Sequence, residues 1–475
     1  MKKLLGCVCA LIAINSFAAW SYNSDTSTIT DGNWELVCSK GTGEKELIIG
    51  VAKDWNNAYK AGSGVLDLTT FEENTGYKIV KFNNWAFNVA GTSGNANLIG
   101  VICPTATIIS KNAFAYCKKI TMISFPEVIE IGNNAFYGCT GLSGDVEFPK
   151  LKILNFEAFR GCKGITGMSM PSLISLQNSA LRECSSLTNL VVSPDIHTFG
   201  NQGLRDCPLV DITPREFPKI INNNGLTHGF MGVAKLKGTL SFPNMTVVEQ
   251  CFFYGCGVEK ISIPAATVIK RDAFNGSKLK TLTVSPDKIT TINYQAFYGC
   301  KDLTAVPDNI FDVVKVVEYG AFQDCTAMTT PPVIKSPYLT AIAKDTFNGT
   351  AGKFNGAVDI YSPIASIGDN AFLQSANGQV YNFYSEAVPA TIGVDAFSGK
   401  AQTDMSKLYV HNYKAVKGWT ELCAANDSVF ETLKSREDYP GSSAIGVIKC
   451  DSASMGSTYH WVISQITTGS VITLH

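Results

Sequence analysis

This chain of 475 residues reads as a leucine-rich-repeat solenoid. The expected form is a β-rich α/β coil with short parallel strands on a concave face. One-turn helices or 3-10 turns lie elsewhere, and each end is capped. The phrase Ile131-Gly132-Asn133-Asn134-Ala135-Phe136-Tyr137-Gly138-Cys139 returns as Gln295-Ala296-Phe297-Tyr298-Gly299-Cys300 and Gly320-Ala321-Phe322-Gln323-Asp324-Cys325. Its phenylalanine, or a residue at the same phase, runs from Phe87 to Phe397 in 13 steps over 310 residues, about 24 per step. That lies inside the ~20–29-residue period of leucine-rich repeats. Hydrophobic residues make up 45% and charged residues only 17%, which suits a long buried ladder and argues against disorder.

In chain order, residues 1–18 read as a secretory leader. Lys2 and Lys3 precede an apolar run from Leu4 to Ile14, and Ser16-Phe17-Ala18 supplies the cleavage site. The run is too short to span a bilayer, and no later segment is long and apolar enough. Leu4-Leu5-Gly6-Cys7 resembles a lipoprotein box, but it comes before the apolar stretch such a box must follow. Residues 19–83 lack the repeat and form an N-terminal β-rich cap, with strands expected at 34–38, 46–51, 64–68 and 78–82. A solenoid needs such atypical terminal units to cover its open ends.

The array occupies 84–400. Each repeat opens with a strand, as at 120–126, 258–264 and 279–286, in which positions one, four and six point inward. Proline ends the strand because it has no N–H to give. A second extended piece follows, as at 128–132. A single helical turn is then expected, with Asn or Asp before Ala-Phe as its N-cap and Gly two residues after Phe for the turn out. Leu181 and Leu204 replace the phenylalanine, and Gly229 replaces the alanine before Phe230. Residues 401–436 read as a C-terminal cap, with a strand at 407–410 and helices at 412–421 and 427–434. The tail, 437–475, has a linker at 439–443, strands at 444–448 and 460–463, and no assignable role.

Fifteen cysteines in an exported chain ordinarily signal disulfides. Cys7 and Cys9 leave with the leader. Cys117, Cys139, Cys162, Cys184, Cys207, Cys256, Cys300 and Cys325 each fall three residues after the repeat mark, where other repeats carry Ala90, Val233, Ser277, Thr350, Ser375 or Lys400. Most of these are small or apolar, so the thiol reads as a small hydrophobe. Rungs about 4.7–4.9 Å apart keep Cβ atoms beyond the ~3.8 Å of a disulfide. The ladder is therefore expected to be reduced. Thiols stacked in one direction cannot form a tetrahedral metal site either. Among the other cysteines, Cys423 and Cys450 are a candidate bridge.

Lys and Arg (39) balance Asp and Glu (40), so no global field draws in nucleic acid or anionic lipid. None of His197, His228, His411, His460 and His475 lies at a metal-binding helical spacing from another. No nucleophile elbow, phosphate loop or dinucleotide fingerprint occurs. The sequence therefore predicts no catalytic residue, cofactor or metal.

The repeated phrase, with Val258-Glu259-Lys260-Ile261-Ser262-Ile263-Pro264 as its strand, resembles the BspA-like class of leucine-rich repeats over roughly 84–400. The resemblance implies a secreted or surface protein that binds host matrix proteins or other cells. From the residues themselves, the outward strand position carries Ser124, Ser169, Thr213, Ser241, Ser262 and Thr283, with Lys260 and Lys280 beside it. Small hydroxyls also simply fit a half-exposed sheet. As a functional feature they make an extended, weakly charged binding face for a protein or a glycan. The expectation is a non-catalytic adhesion or protein-binding role, with a glycan-binding part in nutrient uptake as the alternative. The six tryptophans lie outside the central repeats and suit capping better than sugar stacking.

Overall fold

The computed structural model describes residues 19–50, 59–89, 93–222, 225, 227–285, 287–306, 310–375, 379–385, 389–393 and 396, together with the backbone of four strands near the C-terminus. The chain divides into two compact units, Met1–Met170 and Pro171–His475. Each is a leucine-rich-repeat solenoid built from parallel ladders. The leader, Cys423, Cys450 and the last repeat mark Phe397 lie outside the described residues.

The first unit opens with strands Ser21–Asn23, Thr28–Thr30, Glu35–Lys40 and Glu46–Ile49, paired antiparallel in chain order. Pairing then turns parallel. Glu46–Ile49 runs beside Lys78–Phe82, which runs beside Ile108–Ile109. A second parallel ladder joins Gly64–Asp67, Leu98–Ile102 and Met122–Ser124. Coiling thus begins inside the segment expected as a cap. In this first coil the helix Phe71–Thr75 connects Gly64–Asp67 to Lys78–Phe82, and the corner Ala86-Phe87 follows, with the Trp85 and Phe87 N–H groups donating to the carbonyls of Lys111 and Ala113. Gly64–Asp67 is the edge of its ladder. There the indole N–H groups of Trp34 and Trp20 donate to the carbonyls of Val65 (3.0 Å) and Asp67 (2.8 Å). Two tryptophans therefore close the edge that a further coil would otherwise pair with.

The corner differs from the expected helical turn. Asn134 and Gly138 both have left-handed backbone, φ 57° and 67°. The N–H groups of Asn134, Phe136 and Gly138 donate to Phe156, Ala158 and Arg160 of the next coil at 2.8–2.9 Å. Those of Ala135, Tyr137 and Cys139 close back on the carbonyl three residues earlier at 3.1–3.2 Å. The corner is thus a third hydrogen-bonded ladder made of alternating turns. Asn or Asp before Ala-Phe serves because it tolerates left-handed backbone, and not as a helix cap.

The corner phenylalanines form a column in each unit. Phe87, Phe114, Phe136 and Phe159 stack at 5.3, 5.2 and 4.9 Å with planes within 11°. Phe253, Phe274, Phe297, Phe322, Phe347 and Phe372 stack at 5.0–5.5 Å. Where leucine fills the corner at 204, Phe199 on the strand of the same coil lies 4.8 Å from Phe230. Gly229 has a matching cause: a Cβ there would lie 2.4 Å from the ring of Phe252, which replaces alanine in the following coil.

The cysteine ladder is free and buried, as are Cys38, Cys103 and Cys251. The thiols of Cys139 and Cys162 donate to the carbonyls of Phe114 and Phe136, one coil back, at 3.1 Å. Cys300 and Cys325 do the same to Phe274 and Phe297. At the next slot the Thr350 hydroxyl takes over, reaching Phe322 O at 2.6 Å. Cysteine is thus a small side chain that also donates along the coil axis. Burial pushes the Cys117, Cys256 and Cys300 thiols up to about 12.

The second unit ends as the first begins. Val333–Ile334, Val358–Ile360, Val380–Phe383, Leu408–Asn412 and His460–Ser464 pair parallel in that order. Ile445–Lys449 and then Glu431–Leu433 add antiparallel. The tail strands fall where expected, but 427–434 is not a helix throughout. Glu431–Leu433 is a strand because Ile445–Lys449 offers its backbone a partner.

Candidate binding face

Outward positions alternate with buried ones along each longer strand. In Thr281–Thr283 the pattern is exposed, buried, exposed, with Leu282 turned inward. In the second unit Ser241 pairs with Ser262 and Ser262 with Thr283, in register across three adjacent strands. The parallel row beside it is Thr239, Lys260 and Thr281. Thr213 stands apart: its partner is Val191, while Glu216 bridges to Ser241. In the first unit Ser124 pairs with Ile102, and Ser169 with Glu147. Three of the six hydroxyls expected to form one row are therefore direct neighbours. Ser124 and Ser169 stand beside other residue types, as Thr213 does.

The charged groups on this part of the face are few. Lys260 projects outward and is exposed. Lys280, just ahead of Thr281, is held by Glu259 at 3.1 Å. Lys235 and Lys237, ahead of Thr239, are exposed. Sequence reasoning named Lys260 and Lys280 but missed Lys235 and Lys237. A charge count taken by segment would have found them.

No group of three or more His, Cys, Asp or Glu among the described residues is placed to hold a metal. His197 and His228 each contact a neighbouring threonine hydroxyl. Burial, with a smaller contribution from Arg205, pulls the His228 pKa down. No helix among the described residues is long and apolar enough to cross a membrane.

The family model for the BspA type leucine rich repeat region matches in six copies, over residues 107–228, 246–379 and 309–412. The chain belongs to the BspA-type leucine-rich repeat family. No curated protein matches it. Solved structures similar to it include the pneumococcal vaccine antigen PcpA, at 14% identity, 84% of this chain, 96% of that one and a TM-score of 0.40. A leucine-rich repeat protein of Bacteroides ovatus matches at 16% identity, 82% and 95% coverage and a TM-score of 0.37. A leucine-rich cell surface protein of Faecalibacterium prausnitzii matches at 17%, 69% and 95%, with a TM-score of 0.38.

Proposed function

We propose that this BspA-type protein is exported, acts at or beyond the cell surface, and binds other macromolecules without transforming them. Its partners are proteins of a host matrix or of another cell. The observation that carries the reading is the in-register pair of rows, Thr239-Lys260-Thr281 and Ser241-Ser262-Thr283, facing solvent on three adjacent rungs. Small hydroxyls there donate and accept without a fixed charge pattern, as an extended binding surface requires. A protein partner needs about 800 Å² on this side. Three rungs about 4.8 Å apart do not supply that area, so the contact takes in surface beyond this three-stranded ladder.

The test is a pull-down with the exported protein against matrix proteins, comparing wild type with S241E/S262E/T283E. The variant should lose most of the binding while its Tm stays nearly unchanged, since these side chains face outward. Full binding by the variant would move the site elsewhere. Turnover of any substrate by the pure protein would overturn the non-catalytic reading.

A further inference from the structure

Residues 235–288 hold eight Lys or Arg against four Asp or Glu, within a chain whose net charge is −1. Not all of this charge reaches the binding face. Lys270 is paired with Glu249 at 2.7 Å and Arg271 with Asp272 at 3.1 Å, both at the far side of the coil. Lys278 and Lys280 are paired with Asp302 and Glu259. Lys235, Lys237 and Lys260 are exposed and form no salt bridge with a described carboxylate. Lys260 sits mid-face between Thr239 and Thr281, and Lys237 lies two residues ahead of Thr239. Unpaired ammonium groups thus border a surface of in-register hydroxyls, with the exposed Glu216 beside Ser241 at its outer edge.

We propose that this three-rung face is a subsite for an acidic polysaccharide, a chain of uronate or sulfated sugars laid across the strands. Hydroxyls of Thr239, Ser241, Ser262, Thr281 and Thr283 exchange hydrogen bonds with sugar hydroxyls. Lysine supplies mobile point charges that follow carboxylate or sulfate without the fixed fork geometry of arginine. The outward positions of the three strands carry no aromatic ring, whereas single-stranded nucleic acid is held by base stacking on such rings. Three rungs are ample for a few sugar units. The proposal rests on reading this face as a binding surface and adds the chemistry of what occupies it.

The exported protein is titrated calorimetrically with heparin, polygalacturonate, dextran and a DNA duplex. One or both acidic polysaccharides should bind, more weakly as salt is raised, and dextran should not. K235E/K237E/K260E should lower that affinity by at least about tenfold, as expected for reversing three exposed charges. K111E/K118E/K119E, an equal charge change at exposed lysines of the first unit, should stay within about twofold of wild type. Four results would overturn the proposal: no acidic polysaccharide binding, equal binding of dextran, duplex DNA binding as tightly as heparin, or the same loss in both triple variants. A failed matrix-protein pull-down would leave this titration intact, so the two readings fail separately.

Discussion

Replacing Phe297 by alanine tests whether the corner column holds the coils together. Phe297 is fully buried. Phe274 lies on one face of its ring and Phe322 on the other, each at 5.0 Å and within 6° of parallel. Truncation therefore opens a cavity between two rings that the backbone ladder keeps from closing. The Phe297 N–H still donates to Ala321 O at 2.8 Å, and the rung spacing stays fixed. Phe→Ala in a core costs about 3–5 kcal/mol, more where the site cannot collapse. Two lost aromatic pairs, each about 0.5–1.5 kcal/mol beyond burial, put this case at the upper end. F297L is the informative companion. Leucine occupies this position at 181 and 204, but the Leu204 coil carries Phe199 on its strand, whereas the strand before Phe297 carries Ile292. Leucine should therefore cost clearly less than alanine, yet more than nothing. Urea unfolding followed by circular dichroism gives the total, and amide exchange in the coils of Phe274 and Phe322 shows where it falls. A cost under about 1.5 kcal/mol for F297A, or equal costs for the two variants, would refute the column as a source of stability.

The thiol ladder predicts alkaline sensitivity. Cys117, Cys256 and Cys300 are raised from 9.0 to about 12, so folding favours their neutral form. That stability is fully present below pH 9. It is lost as pH rises toward 12, at about 1.4 kcal/mol per pH unit for each thiol. Urea midpoints should therefore fall steeply over that window, and a flat profile would contradict the burial of the ladder. G229A should destabilise by about 1–3 kcal/mol through overpacking against Phe252. In an F252A background the same change should cost much less, a non-additivity that a double-mutant cycle in urea reads directly.

The inward half of this protein was legible because a period imposes itself on every buried position. The 24-residue beat, the Phe mark and the cysteine slot each recur, so one repeat predicts the next. The corner was misread because Asn-Ala-Phe fits a helix N-cap and a left-handed turn equally well. Only the partner carbonyls of the next coil decide between them, and they lie more than 20 residues away. Glu431–Leu433 was misread for the same reason, since its pairing partner Ile445–Lys449 lies beyond a sequence gap. On the longer strands, alternation turns the hydroxyls away from the core strand by strand. It could not reveal that Val191 and Glu216 interrupt the row at Thr213, because register depends on coil length. Lys235 and Lys237 escaped because a balanced total hid a local excess.

The two halves of each coil answer to different constraints. Inward positions serve the coils above and below, so changing one ring or one thiol disturbs two neighbours. Outward positions on the longer strands touch little beyond their own row. Lys260 stands between two threonines with no structural duty visible in its contacts, and removing its charge should leave the buried column untouched. Charge that stabilises nothing within the coil is exposed at no benefit to folding. Residues 235–288 carry eight Lys or Arg against four Asp or Glu in a chain of net charge −1, and the exposed Lys235, Lys237 and Lys260 lie where an external counter-charge can reach them. An acidic polymer laid across the strands supplies one at Lys260 and at the edge that holds Lys235 and Lys237.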